Sequence, residues 1–396
     1  MEESHGIVIV GGGICGLATA LALHRKGVAS LVLEKSETLR ADGAAIGVHV
    51  NGWRVLEQLG VAAELRETAN LITAYHNVWQ QESKSSLVPV RKELRCLKRK
   101  DLVETLAKNI PAGAIRFGCH IAVIHADPGN RGVVLTTVDG TTMRAKVLIG
   151  CDGTNSVVAK YLGLAAPKPI PRTFLRGFTW YPHGHPFGTE FLRVRGKDFF
   201  IGRLPVTDNL VHFFITMPNP CTGPTKDAGA MKELALEKLQ ECPADITGMV
   251  QDSDPESLNV VNKVWFRPPW QVAFGSFQRG AVTVAGDAMH AMGPSIGQGG
   301  ASGLEDAVVL ARSLSRAVAA SGTGGGELRE KTTIGAAIAE YVRERRPRVA
   351  RLCLESFVVG LLVSTRSLIT RLACVAILAI LGNESLRHTD YDCGRL

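Results

Sequence analysis

Ile7-Val8-Ile9-Val10-Gly11-Gly12-Gly13-Ile14-Cys15-Gly16 is the stretch on which the reading of the whole chain turns. Its β-branched opening is short enough for a strand buried on both faces, as in a parallel sheet. Gly11, Gly13 and Gly16 then spell G-x-G-x-x-G, with Ile14 and Cys15 in the variable places. An Ala- and Leu-rich helix is expected from Leu17 to about Lys26, closed by Gly27. A second apolar strand, Ser30-Leu31-Val32-Leu33, runs into Glu34 and Lys35. The first glycine permits the tight turn, the second lets backbone approach a pyrophosphate, and the third lets helix pack on strand. The helix N-terminus offers free N–H groups to phosphates. Glu34, eighteen residues past Gly16, is placed to accept hydrogen bonds from a ribose diol. This order predicts a dinucleotide site without saying which dinucleotide.

The remaining composition narrows the class. At 396 residues with 45% hydrophobic content, one large or two closely joined domains are expected. The net charge of +8 is spread out, and aromatics do not interleave with the basic stretches 91–100 and 343–351. That pattern excludes a nucleic-acid surface and suits solvated faces with a basic mouth for an anionic coenzyme. Nine cysteines without a C-x-x-C pair read as free thiols in a reducing compartment, with Cys15 a small filler. The first strand starts close to Met1, leaving no room for a leader, so a cytoplasmic protein is expected. Residues 357–381 are strongly apolar but interrupted by Arg366 and Arg371, too short to span a bilayer. They predict one or two packing helices, with a weak membrane contact as the alternative.

Two later strands end like the first. Val147-Leu148-Ile149 leads into Gly150-Cys151-Asp152-Gly153, and Ala281–Ala285 into Gly286-Asp287. Ligands of open α/β sheets bind beyond the carboxyl ends of strands, so the three turns point to one extended molecule. Pro294-Ser-Ile-Gly297-Gln298-Gly299-Gly300 precedes a helix expected over 304–320 and forms a second anion-attracting helix start, which suits a flavin. A hairpin is expected at 137–141, an antiparallel sheet over 170–217, and a helix from Thr333 to about Arg345 that stops before Pro347.

Together, Gly11/Gly13/Gly16 with Glu34, Asp152-Gly153, and Gly286-Asp287 with Pro294 and Gly297-Gln298-Gly299 resemble the three fingerprints of FAD-dependent aromatic monooxygenases of class A, the p-hydroxybenzoate hydroxylase-like group. The tail around His388-Thr-Asp-Tyr-Asp392 resembles a plant branch similar to salicylate hydroxylase. The resemblance implies an α/β fold with a Rossmann-type (glutathione reductase-like) FAD-binding domain from 1–72, 96–168 and 279–346. An inserted, mostly antiparallel β-sheet substrate domain would occupy 73–95 and 169–278, and C-terminal helices over 347–396 would pack on the core. It implies that Glu34 holds the adenosine ribose, that Lys35 belongs to the same site, and that Arg40 and Arg99 approach ribose and phosphates. It assigns Asp287 to the ribityl chain, the amides of 297–300, Gly300 included, to the isoalloxazine, and Asp152 to both FAD and NAD(P)H. Pro294 would pack by the flavin and shape the oxygen pocket.

The implied reaction takes hydride from NADPH or NADH and inserts one atom of O2 into a small phenol- or benzoate-like substrate through a flavin C4a-hydroperoxide, with no metal. A base would help a phenol, and His49, His183, His185 and His212 are the titratable candidates. His290 is expected to support the site from behind, and Arg193, Arg195 and Arg203 could grip a substrate carboxylate. Two places depart from the family pattern. Ala159 stands where an Arg is usual, and Ala301 where Asn or Cys is usual. The rival readings are a flavin-dependent epoxidase of an isoprenoid and a non-catalytic FAD-fold binding protein.

Overall fold

A computed structural model describes residues 3–39, 44–128, 132–219, 227–321, 327–365, 367–381 and 387–396. Strand β1 (Glu3–Val10), helix α1 (Ile14–Arg25) and strand β2 (Leu31–Leu33) form the first βαβ unit, and helix α2 (Val50–Leu59) follows. Strands β3 (Thr142–Gly150) and β4 (Val282–Val284) complete a parallel core in the order β4-β3-β1-β2, continued by Ile115–Arg116. These strands lack polar alternation because both faces are covered. Val8, Ile9, Val32, Leu33, Leu148, Ile149 and Val284 are all fully buried. Register then aligns the strand ends: Val10 pairs with Leu33 and Gly150, and Gly150 with Val284. The three turns that follow β1, β3 and β4 therefore leave one edge of one sheet.

The apolar run over 115–126 is divided at Gly118, whose φ of +68° turns the chain. Ile115–Arg116 stays beside β2, while Ile121–Ala126 joins an antiparallel hairpin extension of β3 through Val133–Thr137.

A second, seven-stranded sheet runs in the order 259–261, 172–180, 210–218, 200–205, 190–195, 74–79 and 84–89. It is antiparallel except where Glu190–Arg195 lies parallel to Ala74–Trp79. Here the side chains alternate. Leu175, Leu192, Val194, Ile201, Phe213 and Ile215 face helices Ala228–Lys238 and Ala244–Gln251, leaving the opposite face for the site. A small sheet, Ala45–His49 with Leu94–Lys98 and Asn70–Leu71, lies between the two large ones in the sequence.

Helix α3 (Gly299–Ser321) packs on α1, and α4 (Glu327–Ser364) packs on α3. The helix expected to stop before Pro347 continues through it. Proline removes one ladder hydrogen bond, but Arg345 and Arg348, on either side of it, both pair with Glu305 of α3 and hold the two halves in line. Helix α5 (Leu368–Leu381) turns back along α4. The C-terminal residues return to the core, where Arg54 and Lys92 pair with Asp390 and Arg312 donates to the carbonyl of Cys393.

Candidate active site

The glycine turns are packed against each other as closely as backbone permits. Gly11 has φ +107°, and a Cβ there would lie 2.4 Å from the carbonyl oxygen of Cys151. A Cβ on Gly16 would fall 1.9 Å from the Gly11 carbonyl oxygen. Cys15 does more than fill space: its Sγ lies 3.8 Å from Cys151 Sγ, and a Cβ on Gly286 would meet its Cβ at 3.0 Å. The first, second and third fingerprints thus touch in pairs around two thiols.

Several groups in this junction are left open toward the cleft. A Cβ on Gly13 or Gly299 would meet nothing within 4 Å, and no side chain caps the N-terminus of α1. Those amides are available to an anion. Asp287 lies deep in the protein yet its side chain is exposed, as befits a group lining a cleft. Burial raises its carboxyl pKa, with His290 and Arg99 opposing. Asp152 accepts from the Val157 amide at 2.7 Å through Oδ2, while its buried Oδ1 has no hydrogen-bond partner among the described residues. Glu34 accepts from the amides of Gly12 (2.7 Å) and Ser36 (2.9 Å), and a carboxylate has acceptor capacity beyond two bonds. Uncapped amides, a carboxylate at the cleft wall and an orphaned buried oxygen fit an elongated phosphate-bearing coenzyme. Arg99 opens helix Arg99–Lys108 and reaches Asp287 and Arg176 through its field. Lys35 is exposed, and Arg40 lies outside the described residues.

A hydrogen-bond chain leads from this cradle to the second sheet, and its polarity can be deduced. Arg345 and Arg348 pair with Glu305 at 2.7 and 3.0 Å. Burial raises the Glu305 carboxyl, but the two guanidiniums outweigh it and hold the group ionised. Glu305 therefore only accepts, which makes Asn51 Nδ2 the donor at 2.7 Å. The same nitrogen donates to Gln298 Oε1 at 2.8 Å, so Gln298 presents its NH2 to His49 Nδ1 at 3.3 Å. Burial first, then the fields of His388 and Arg193, push the His49 pKa down to about 3. A neutral imidazole accepting at Nδ1 carries its proton on Nε2 and donates it to Tyr75 Oη, 3.0 Å away. Tyr75, raised to about 12 by burial with Arg193 opposing, remains a phenol. Its own O–H is left to donate outward. His49 also lies against the 294–300 loop, 3.8 Å from where a Cβ on Gly297 would stand.

Around Tyr75 the sheet presents rings and the Arg193 guanidinium. Cross-strand pairing places Asn77, Arg193, Gly202, Phe214 and Arg176 in one row. Beside it, Tyr75 pairs with Phe191, and Leu204 with His212 and His212 with Phe178. Gly202 is a notch filled by rings: a Cβ there would lie 2.4 Å from Phe214 and 3.1 Å from Phe191. Arg193 stacks over Tyr75 at 4.2 Å, its buried Nε has no partner, and no carboxylate among the described residues pairs with it. His212 donates its Nδ1–H to the Gly177 carbonyl oxygen at 3.0 Å, and burial lowers its pKa to about 3.

Other candidates are occupied elsewhere. Arg203 points to the helical side of the sheet, paired with Asp245 at 2.7 Å and stacked on Phe187. Arg195 donates to the carbonyls of Leu362 and Val363 at the end of α4. His185 stacks on Phe187 and neighbours the Thr207 carbonyl, and His183 sits in the same loop. Pro294 is exposed at the start of the 294–300 loop. Gly300 packs on Ile46, where a Cβ would stand 2.7 Å from Cδ1. His290 pairs with Asp306 at 2.5 Å, and Asp306 also binds Arg345 and the Gly286 amide, tying the third turn to α3. Among the described residues no group of His, Cys, Asp or Glu is arranged for a metal. Sequence reasoning missed Tyr75, Asn51 and Glu305. Glu305-Asp306 inside the apolar run of α3 was the available signal, whereas nothing marked Tyr75 apart from its place in a strand.

Three convergent turns, an anion-binding helix start and an aromatic floor define a flavoprotein oxygenase. The chain belongs to the FAD-binding family whose profile, FAD binding domain, matches residues 5–355, and it is an FAD-dependent monooxygenase of the class A hydroxylase group. It is 45% identical to Monooxygenase 1 and 35% identical to Monooxygenase 2 of Arabidopsis thaliana. The alignments cover 100% of this chain and 100% and 99% of those proteins. The fold is similar to that of Klebsiella pneumoniae HpxO complexed with FAD and uric acid, with a TM-score of 0.79 at 22% identity over 98% of this chain and 96% of that one.

Proposed function

We propose that this monooxygenase hydroxylates a small aromatic acid, using NADPH or NADH as electron donor. The observation that carries the reading is Arg193, a guanidinium with no paired carboxylate among the described residues, set beside Tyr75 on an aromatic floor next to the Gly297 loop. A desolvated, uncompensated cation costs stability and is retained where a ligand supplies the counter-charge. When bound, FAD accepts electrons from the nicotinamide and activates O2. The cradle would hold it through the uncapped amides of α1 and the backbone at the start of α3, with Glu34 and Asp287 taking ribose and ribityl hydroxyls.

The substrate carboxylate would pair with Arg193, and its ring would rest on Phe191, Leu204 and Phe214, which exclude water from the reacting face. Tyr75 would donate its O–H to an oxygen on the ring. His49, held neutral, orients Tyr75 and serves as a positioning residue; it is too weak a base at neutral pH to strip a phenol by itself. Urate and 3-amino-4-hydroxybenzoate, the substrates named for more distant relatives of Klebsiella pneumoniae and Streptomyces platensis, are likewise polar rings, which supports an aromatic over an isoprenoid substrate. The test follows nicotinamide oxidation by the FAD-loaded enzyme against hydroxybenzoates, neutral phenols and isoprenoids, with hydrogen peroxide counted. Coupled turnover on aromatic acids is expected. Stimulation by isoprenoids alone would overturn the proposal.

A further inference from the structure

Helix α5 carries an apolar face that no other described residue covers. It packs on α4 through a narrow stripe, with Cys374 buried and Leu378 and Leu381 half-buried. That stripe follows the helical repeat. On the opposite side Leu368, Ile369, Leu372, Val375, Ile377 and Ile380 all face solvent, Ile369 at 81% and Ile380 at 84% exposure. Six large apolar side chains on one short helix form a patch of the kind that marks an interaction site on a soluble surface.

Charge selects the occupant. From Ser356 to Gly382 the sequence contains no Asp or Glu and two arginines, Arg366 and Arg371. Arg371 is exposed at the edge of the apolar face, and its field reaches Arg195, which anchors the end of α4. Lys84 stacks on Trp79, the residue paired with Arg195, so this rim adds a second base and an aromatic ring. Glu82, on the adjoining turn, is the acid whose field reaches Arg195. An apolar face with a predominantly cationic rim matches the acyl boundary and headgroups of an anionic bilayer, with arginine stems extending along the apolar surface. A second copy of the same face would bring like charges together.

We propose that α5 seats the enzyme on the surface of an anionic membrane, lying in the interface. No helix among the described residues is long and apolar enough to cross a membrane, so the contact is peripheral. It is independent of the substrate assigned above.

The test centrifuges the FAD-loaded, full-length enzyme with vesicles of phosphatidylcholine alone and with vesicles of phosphatidylcholine and phosphatidylserine in equal parts. Recovery with the anionic vesicles should exceed that with the neutral ones by about tenfold and fall as salt is raised. The double variant Ile369→Glu/Ile380→Glu changes two solvent-facing residues, so its flavin absorbance should match the parent while vesicle binding drops by about tenfold. Equal recovery with both vesicle types, recovery with neither, or undiminished binding by the variant overturns the proposal. So does a wild-type dimer in solution that the variant dissociates, since the face would then belong to a second copy.

Discussion

Arg345 and Arg193 are both withdrawn from bulk water, in opposite electrostatic circumstances. Arg345 is fully buried between Glu305 and Asp306, and its charge is cancelled twice over at 2.7 Å. Arg193 is half-buried beside Tyr75 and has no such partner among the described residues. The first arrangement is architecture: it joins α3 to α4, and through Asp306 it fixes His290 and the Gly286 turn. The second is the arrangement on which the proposed recognition of an aromatic acid rests. Burial of a cation alone does not separate the two roles; the location of its counter-charge does.

The contrast is broken most severely at the compensated end. Arg345→Met should take from the buried Glu305 and Asp306 the guanidinium they share, leaving them Arg348 and His290 alone, and cost about 3–5 kcal/mol of stability, read as a large fall in Tm with loss of bound flavin. Retention of the parental Tm would show that the cluster is not a structural tie. Asp287→Ala, at the cleft wall, should weaken FAD binding by about tenfold or more through loss of a charge-assisted hydrogen bond, measured by flavin fluorescence. Unchanged occupancy would count against the cradle. Arg193→Gln should leave flavin content intact and weaken binding of an aromatic acid by about tenfold or more, without a matching loss for the neutral phenol.

The smaller effects refine the picture around Tyr75. Tyr75→Phe keeps the ring and removes the donor, so a several-fold fall in coupling with more hydrogen peroxide released is expected, at a cost of about 0.5–1.5 kcal/mol. A coupling ratio equal to the parent's would remove Tyr75 from the reaction. His49 and His212 are neutral in the fold down to about pH 3, whereas the unfolded chain protonates them near pH 6.5. The unfolded state binds more protons between those values. Their contribution is therefore full above about pH 6.5 and is lost as the pH falls toward 3. Denaturant titrations at pH 7 and pH 5 should show this loss, and His212→Phe should shrink it.

The legible part of the molecule is the part built from contiguous residues. Gly11 to Gly16 with Glu34 can be read because a strand, a turn and a helix start each have local rules. The convergence of Asp152 and Asp287 on that turn follows from one further rule about strand ends. The sheet face around Tyr75 obeys no such rule. Tyr75, Arg193, Gly202 and Phe214 come from four strands and meet only through register, which a single sequence leaves open. Pro347 shows the same limit from the other side. A local helix breaker was outweighed by tertiary ion pairs, whose members Glu305, Arg345 and Arg348 lie some forty residues apart.

The most direct measurement compares a hydroxybenzoate with the corresponding hydroxybenzyl alcohol as ligands of the FAD-loaded enzyme, each titrated by the change in flavin absorbance. The parent enzyme should bind the acid about tenfold or more tightly than the alcohol, and Arg193→Gln should bind the two alike. Equal affinities in the parent enzyme would contradict the assignment of the uncompensated arginine to substrate recognition. A spectral response to neither ligand, with flavin bound, would remove the aromatic-acid reading altogether.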